Sequence, residues 1–107
     1  MGAFNTVRIL GTCPSCKNEV NFEVQFKYGD VWQHHYQLGD VITWRGNDIG
    51  KPGLRKVIVE GFAICPICDS ELDYEVWLEK DKIVAVKLAS GTYDLASTPE
   101  GYIVIEE

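Results

Sequence analysis

The sequence has no apolar run that approaches transmembrane length, and its first residues lack the basic start and long apolar stretch of an export signal. We therefore expect a soluble, cytoplasmic protein with no membrane partner. Positive charge is also scarce, since 10 basic side chains stand against 16 acidic ones and give a formal net charge of −6. Net negative charge repels phosphate backbones, which makes nucleic acid a disfavoured partner.

Catalytic signatures are missing as well. The chain contains no phosphate-binding Gly-Lys-Ser/Thr loop, no serine elbow and no dinucleotide fingerprint. No segment keeps a helical period for more than about two turns. A length of 107 residues corresponds to a single domain, residues 1–107. We expect a small, non-enzymatic, all-β domain.

What the chain does contain is one unit repeated, built around a Cys-Pro-x-Cys pair. The first pair is Cys13 and Cys16, and the second is Cys65 and Cys68. A shift of 52 residues, the separation of Cys13 from Cys65, also places further residues on identical ones: Val7 on Val59, Glu19 on Glu71, Glu23 on Glu75, and Val24 on Val76. The repeat predicts two strand-turn-strand units, at about 7–30 and about 59–82.

Period-two alternation follows each cysteine pair. Apolar side chains occupy every second position of residues 20–26 and again of residues 72–78, with mostly polar side chains between them. This pattern predicts half-buried β-strands. A redox-active Cys-x-x-Cys instead precedes a helix whose dipole lowers the pKa of the attacking thiol, so the alternation argues against thiol redox chemistry.

The two units are separated by an insertion of about residues 31–58. Within and just before it, Gly-Asp pairs at 29–30 and 39–40 each precede a strand candidate. Strands are also predicted at 82–89 and 102–107, where β-branched residues are frequent. The whole pattern favours a mainly antiparallel β domain with an inserted β segment.

Two Cys-x-x-Cys pairs on turns between strands supply what a tetrahedral thiolate site requires. The two-residue spacer lets both sulfurs of a pair approach one ion, and thiols in a reducing cytosol are more often ligands or catalytic groups than disulfides. We predict that Cys13, Cys16, Cys65 and Cys68 bind one metal ion. The expected ion is Zn²⁺, because structural four-cysteine sites of this spacing are usually zinc, and iron is the alternative.

The cysteine pairs and their flanking strands resemble the zinc-ribbon and rubredoxin-like proteins, whose two knuckles read Cys-Pro-x-Cys and are related by a pseudo-twofold axis. The resemblance implies an expanded zinc ribbon with a four-cysteine site. The chain departs from that family at Lys17 and Asp69, where Gly often follows the second cysteine. It departs again in the 48 residues that lie between Cys16 and Cys65.

Residues 43–56 form a Gly-rich loop with four basic side chains and one acidic one. Trp and Arg often anchor interfaces, so this loop is a possible contact surface for a partner protein. The alternative is a solvated connection with its tryptophan on the core. The possible partner contacts in the loop are Trp44, Arg45, Lys51, Arg55 and Lys56.

The strand at 71–81 carries an acidic row, predicted on its polar face, that could receive a basic partner or simply keep the sheet soluble. Trp77 lies among these acids and is a further possible contact. In the insertion, the alternation predicts that Trp32, His34, Tyr36 and Leu38 share one face, with His34 packed and hydrogen-bonded.

Three functions fit the sequence. The first is a structural-zinc, non-enzymatic protein-interaction module, such as an adaptor, a subunit or a toxin-neutralising inhibitor, that binds another protein. The second is a rubredoxin-like iron electron carrier. The third is a nucleic-acid-binding zinc ribbon that uses the basic loop.

Overall fold

The computed structural model describes residues 4–46, 48–93, 95, 98 and 101–107. Over these residues the chain is all-β, as the sequence predicts, and no helix there has the length and apolar character that a membrane crossing needs. The strands are β1 (Asn5–Thr12), β2 (Glu19–Phe26), β3 (Gly29–Asp30), β4 (His35–Gln37), β5 (Asp48–Ile49), β6 (Lys56–Ile64), β7 (Glu71–Glu79), β8 (Lys82–Leu88) and β9 (Tyr102–Glu106).

Seven of these strands form one curled sheet in the order β4-β1-β2-β6-β7-β8, with β9 also paired to β6. All pairs are antiparallel except the short parallel pair of β1 with β4. Strands β3 and β5 form a separate two-stranded ladder within the insertion. The sheet is therefore mixed, although its long ladders are all antiparallel.

The repeat is visible in the ladders. In the β1–β2 hairpin Val7 pairs with Val24, and in the β6–β7 hairpin Val59 pairs with Val76, the positions 52 residues further on. Apolar positions of both second strands face a common core, as period-two alternation requires. The predicted pair of strand-knuckle-strand units is confirmed.

The two hairpins join through a short ladder. Strands β2 and β6 pair only at Gln25 with Phe62 and at Phe26 with Gly61. Toward the cysteines, β2 and β6 form no further pairs. There Phe22 packs on Tyr74, its equivalent in the other unit, with ring centroids 5.9 Å apart. The cysteine ends of the two hairpins thus lack a backbone ladder between them.

The insertion departs from the predicted strands. Residues 35–37 form the short strand β4, and Val41 makes only an isolated bridge to Lys82. The φ angle of Gln33 is +59°, which interrupts the extended backbone on which the predicted alternation depended. Trp32 and Leu38 are 67% and 53% exposed, and Leu38 lies in the turn after β4, so of the predicted face only His34 and Tyr36 pack together.

A buried asparagine fixes the loop before β4. Asn5 donates to the carbonyls of Tyr28 and Asp30 and accepts from the backbone N–H of His34. His34 is half-buried, and its Nε2 lies 2.9 Å from Oδ2 of Asp30, so it is hydrogen-bonded as expected. The exposed Trp32 therefore projects from a loop whose ends are held by internal hydrogen bonds.

The acidic strand is also partly covered, contrary to the predicted polar face. Glu75 is only 3% exposed, and its carboxylate accepts from the indole N–H of Trp77 and the backbone N–H of Ser90. Trp77 packs edge-on against Tyr93 at 6.0 Å and lies beneath Lys87. The segment after β8 folds over this side of the sheet, so the polar face predicted for the acidic row is wrong at Glu75 and Trp77, whereas Glu71 and Asp73 are exposed.

Candidate metal centre

Each cysteine pair lies on a closed turn between two paired strands. In the first knuckle the N–H of Cys13 donates to Asn18 O at 2.9 Å, and the N–H of Lys17 donates to Cys13 O at 2.9 Å. The second knuckle repeats both bonds, from Cys65 to Ser70 O at 3.0 Å and from Asp69 to Cys65 O at 2.9 Å. The backbone thus presents both pairs in the same conformation.

The residue after each pair has a left-handed backbone. The φ angle is +64° at Lys17 and +59° at Asp69, the two positions where zinc ribbons often have Gly. A non-glycine residue there costs about 1–2 kcal/mol relative to its usual conformation. Each knuckle adopts the closed turn although this residue is not glycine, because the two backbone hydrogen bonds of the knuckle hold it.

The four sulfurs converge between the hairpins. Sγ of Cys13 lies 3.7 Å from Sγ of Cys68, and Sγ of Cys16 lies 3.8 Å from Sγ of Cys65. All four lie within 4.8 Å of one another. A tetrahedral ion with bonds of about 2.3 Å to sulfur requires edges of about 3.8 Å. The four cysteines are therefore positioned to bind one metal ion.

Burial of the site follows the pseudo-symmetry. The first cysteine of each pair, Cys13 or Cys65, is fully buried, whereas Cys16 is half-buried and Cys68 is exposed. The inner sulfurs lie against the apolar core near Tyr74, and the pKa of that tyrosine is raised by burial and by the charges of the two inner thiols. The site thus closes the end of the core where the hairpins lack a ladder.

Without metal the thiols differ in acidity. Hydrogen bonds from the side chain and backbone of Ser70 lower the pKa of Cys68 to about 6. The pKa of Cys65 instead rises to about 11, because the hydrogen bond from the Cys68 backbone is outweighed by burial and by the neighbouring thiols. A cation must therefore displace protons from this cluster, and its affinity should rise with pH.

The possible partner contacts from the basic loop lie in different surroundings. Trp44 is half-buried and packs edge-on against Tyr28 at 5.5 Å, and its indole N–H is buried without a hydrogen-bond partner among the described residues. Lys51 is exposed, and its carbonyl accepts from the Tyr28 hydroxyl. Arg45 lines a cavity of about 470 Å³ together with the exposed Trp32.

Arg55 and Lys56 lie apart from Arg45, in a groove that they share with Lys80 and Lys82. Trp77, the remaining possible contact, belongs to the covered side of the sheet described above. The sequence analysis did not predict that Lys80 and Lys82 lie beside Arg55 and Lys56, nor that Trp32 is exposed. The adjacent Lys-Asp-Lys of residues 80–82, between two predicted strands, was the available signal for a basic turn.

Comparison with known proteins gives no relative, since no family model, no curated protein and no solved structure matches this chain.

Proposed function

We propose that this chain is a non-enzymatic protein-binding module whose two hairpins are joined by a structural zinc ion. The observation that supports the proposal most is the set of four sulfurs within 4.8 Å of one another, located where the hairpins have no backbone ladder between them. A metal bound there replaces the missing ladder, so that metal binding becomes folding free energy. Cys13, Cys16, Cys65 and Cys68 would fill all four positions of a tetrahedral ion.

A filled shell has a functional consequence. Four protein ligands leave a tetrahedral ion with no position for water or substrate, which is the pattern of structural rather than catalytic zinc. Zinc is favoured over iron because structural four-cysteine sites are usually zinc. An iron ion in the same shell would make the chain an electron carrier, and this is the competing hypothesis for the cluster.

The interaction role rests on the surface. Trp32 projects from a hydrogen-bonded loop, and exposed tryptophans are enriched among the residues that dominate binding energy at interfaces. Three exposed apolar side chains, Leu10, Ile64 and Ile67, occur on or beside the knuckles. Such residues suit an adaptor, a subunit or an inhibitor that covers another protein.

Two measurements test the proposal. Metal analysis and a visible spectrum of protein purified without reconstitution should give zinc and no absorption from iron-thiolate charge transfer. Affinity isolation of the tagged chain from its own host should return a partner at fixed stoichiometry, and Trp32→Ser should weaken that complex without changing the metal content. An iron spectrum would favour the electron carrier, and the absence of any stoichiometric partner would contradict the binding role.

A further inference from the structure

A groove of about 620 Å³ lies between the end of the insertion and the β7–β8 turn. Four basic side chains line it, two at and just before the start of β6, one in the turn and one at the start of β8. They are Arg55, Lys56, Lys80 and Lys82, four of the ten basic residues in a chain of net charge −6. The groove is a local concentration of positive charge in an acidic protein.

Within the described part of the chain, none of these four cations forms an ion pair. The ion pairs of the described residues are Arg8 with Glu23 and His34 with Asp30, and neither involves the groove. Two carboxylates also line the groove, Glu106 opposite Lys56 and Glu79 opposite Lys82 in the strand ladders, but neither lies within ion-pair distance of these lysines. With four basic and two acidic side chains the lining is net positive, and its basic groups make no ion pair with a described residue that would compete with an external anion.

Hydrogen bonds hold the two sides of the groove together. The carboxylate of Asp81 accepts the N–H of Gly53 at 3.0 and 3.1 Å, and the N–H of Lys80 donates to Leu54 O at 3.0 Å. The carbonyl of Asp81 also accepts the N–H of Ile42 at 2.7 Å. The segments that carry the cations are thus fixed beside each other before any partner arrives, which reduces the entropy lost on binding.

The turn carries a lysine where another residue would fold better. Lys80 and Asp81 have φ of +49° and +66°, the positive values of a two-residue hairpin turn that favours Asn and Gly. Asp81 is explained by its carboxylate, which accepts the N–H of Gly53, whereas the side chain of Lys80 makes no hydrogen bond or ion pair in the described part of the chain. Such backbone strain is concentrated at functional sites.

We propose that this groove, defined by Arg55, Lys56, Lys80 and Lys82, binds a short acidic peptide segment of the partner protein. The inference rests on the proposed function and names the partner's chemistry. Charge complementarity supplies the attraction, and the exposed Val41 and Val84 at the groove offer contact to apolar side chains among the acids. A nucleic acid fits less well, because a long polyanion would extend beyond the groove onto an acidic surface.

A fluorescent peptide of alternating Asp, Leu and Glu residues is the probe, measured by anisotropy against the metal-loaded protein. The wild-type protein should bind the peptide at low salt and release it near 1 M salt, where the electrostatic screening length is about 3 Å. The double variant Arg55→Glu/Lys82→Glu should bind about tenfold more weakly or worse. The matched control Arg8→Glu/Lys27→Glu changes the net charge equally, at two exposed positions outside the groove, and should bind within about twofold of wild type.

Lys80→Gly separates a binding role from a structural one. Glycine relieves the positive φ, so the variant should melt at a higher temperature than wild type, by roughly 4 °C, while its affinity for the peptide falls. A role in folding alone would move the melting temperature without moving the affinity. Because this variant is more stable, its weaker binding cannot be attributed to unfolding.

Several outcomes would overturn the inference. They are failure of the wild-type protein to bind the peptide at about 1 mM, equal binding by the groove and control variants, or tighter binding of single-stranded oligothymidine than of the peptide. The isolation experiment distinguishes this from failure of the proposed function. If Arg55→Glu/Lys82→Glu retains the stoichiometric partner, the module binds protein and the groove is not where it does so.

Discussion

Replacement of Cys16 by Ser is the sharpest perturbation of the metal centre. Cys16 is half-buried, so the substitution removes a sulfur ligand without opening a cavity in the core. Its partner across the hairpins is Cys65, at 3.8 Å, and 48 residues separate the two along the chain. Loss of this ligand should release the metal and with it the constraint on the intervening chain.

The magnitude follows from the length of the closed loop. A cross-link across about 50 residues removes about 4 kcal/mol of chain entropy from the unfolded state. A domain of this size has a total free energy of unfolding of about 5–15 kcal/mol, so losing the cross-link removes a large fraction of its stability. In melting temperature it corresponds to a decrease of roughly 15 °C or more. The short β2–β6 ladder offers little to replace it.

Thermal unfolding followed by circular dichroism measures the effect. Cys16→Ser should melt far below wild type and should no longer respond to chelator, whereas chelation should bring wild type down to the same level. Ser15→Ala, an exposed change in the same knuckle, should melt like wild type and keep its response. A wild-type melting temperature that stays the same after verified metal removal would refute the reasoning.

The remaining predictions concern the core and the surface. Gly61→Ala should cost about 1–3 kcal/mol in urea unfolding, because its Cβ would lie 2.7 Å from Cγ1 of Val24, whereas Gly11→Ala, with its nearest contact at 3.8 Å, should be within about 0.5 kcal/mol of wild type. Equal costs would contradict the close approach. Burial, with a smaller contribution from the charge of Asp81, raises the pKa of Tyr28 from 10.0 to about 12, so its contribution to stability is present below pH 10 and lost as pH rises toward 12. Tyr28→Phe should therefore lose less stability over that range, by at most about 2 kcal/mol, and an unchanged pH profile would count against the burial. Trp32→Phe should remove most of the acrylamide-quenchable tryptophan emission, since Trp44 and Trp77 are half-buried, and unaltered quenching would show that the loop is closed.

Local patterns predicted the parts of the fold that local physics decides. Two identical Cys-Pro-x-Cys turns, each followed by alternation, were enough to predict both hairpins and to bring together Cys13, Cys16, Cys65 and Cys68. The reason is that register in a hairpin is set by its turn and by which face is apolar. The missing glycines did not prevent it, since Lys17 and Asp69 adopt the positive φ themselves.

Tertiary contacts determine the parts of the fold that the sequence patterns did not predict. The strand predicted through Trp32 is interrupted because Asn5, from β1, holds the preceding loop in another conformation. Glu75 and Trp77 are covered because the chain after β8 returns over them. Nothing in the alternation of a single strand reveals what folds back onto it, so burial on the second face of a sheet is the part that sequence patterns predict least.

The most direct test of a zinc-joined pair of hairpins is the metal content of the protein as purified, measured together with its reactive thiols. One zinc ion per chain is expected, with the four cysteines protected from a thiol reagent until the metal is displaced and Cys16→Ser unable to retain the ion. A folded chain that contains no metal and four freely reactive thiols would contradict it.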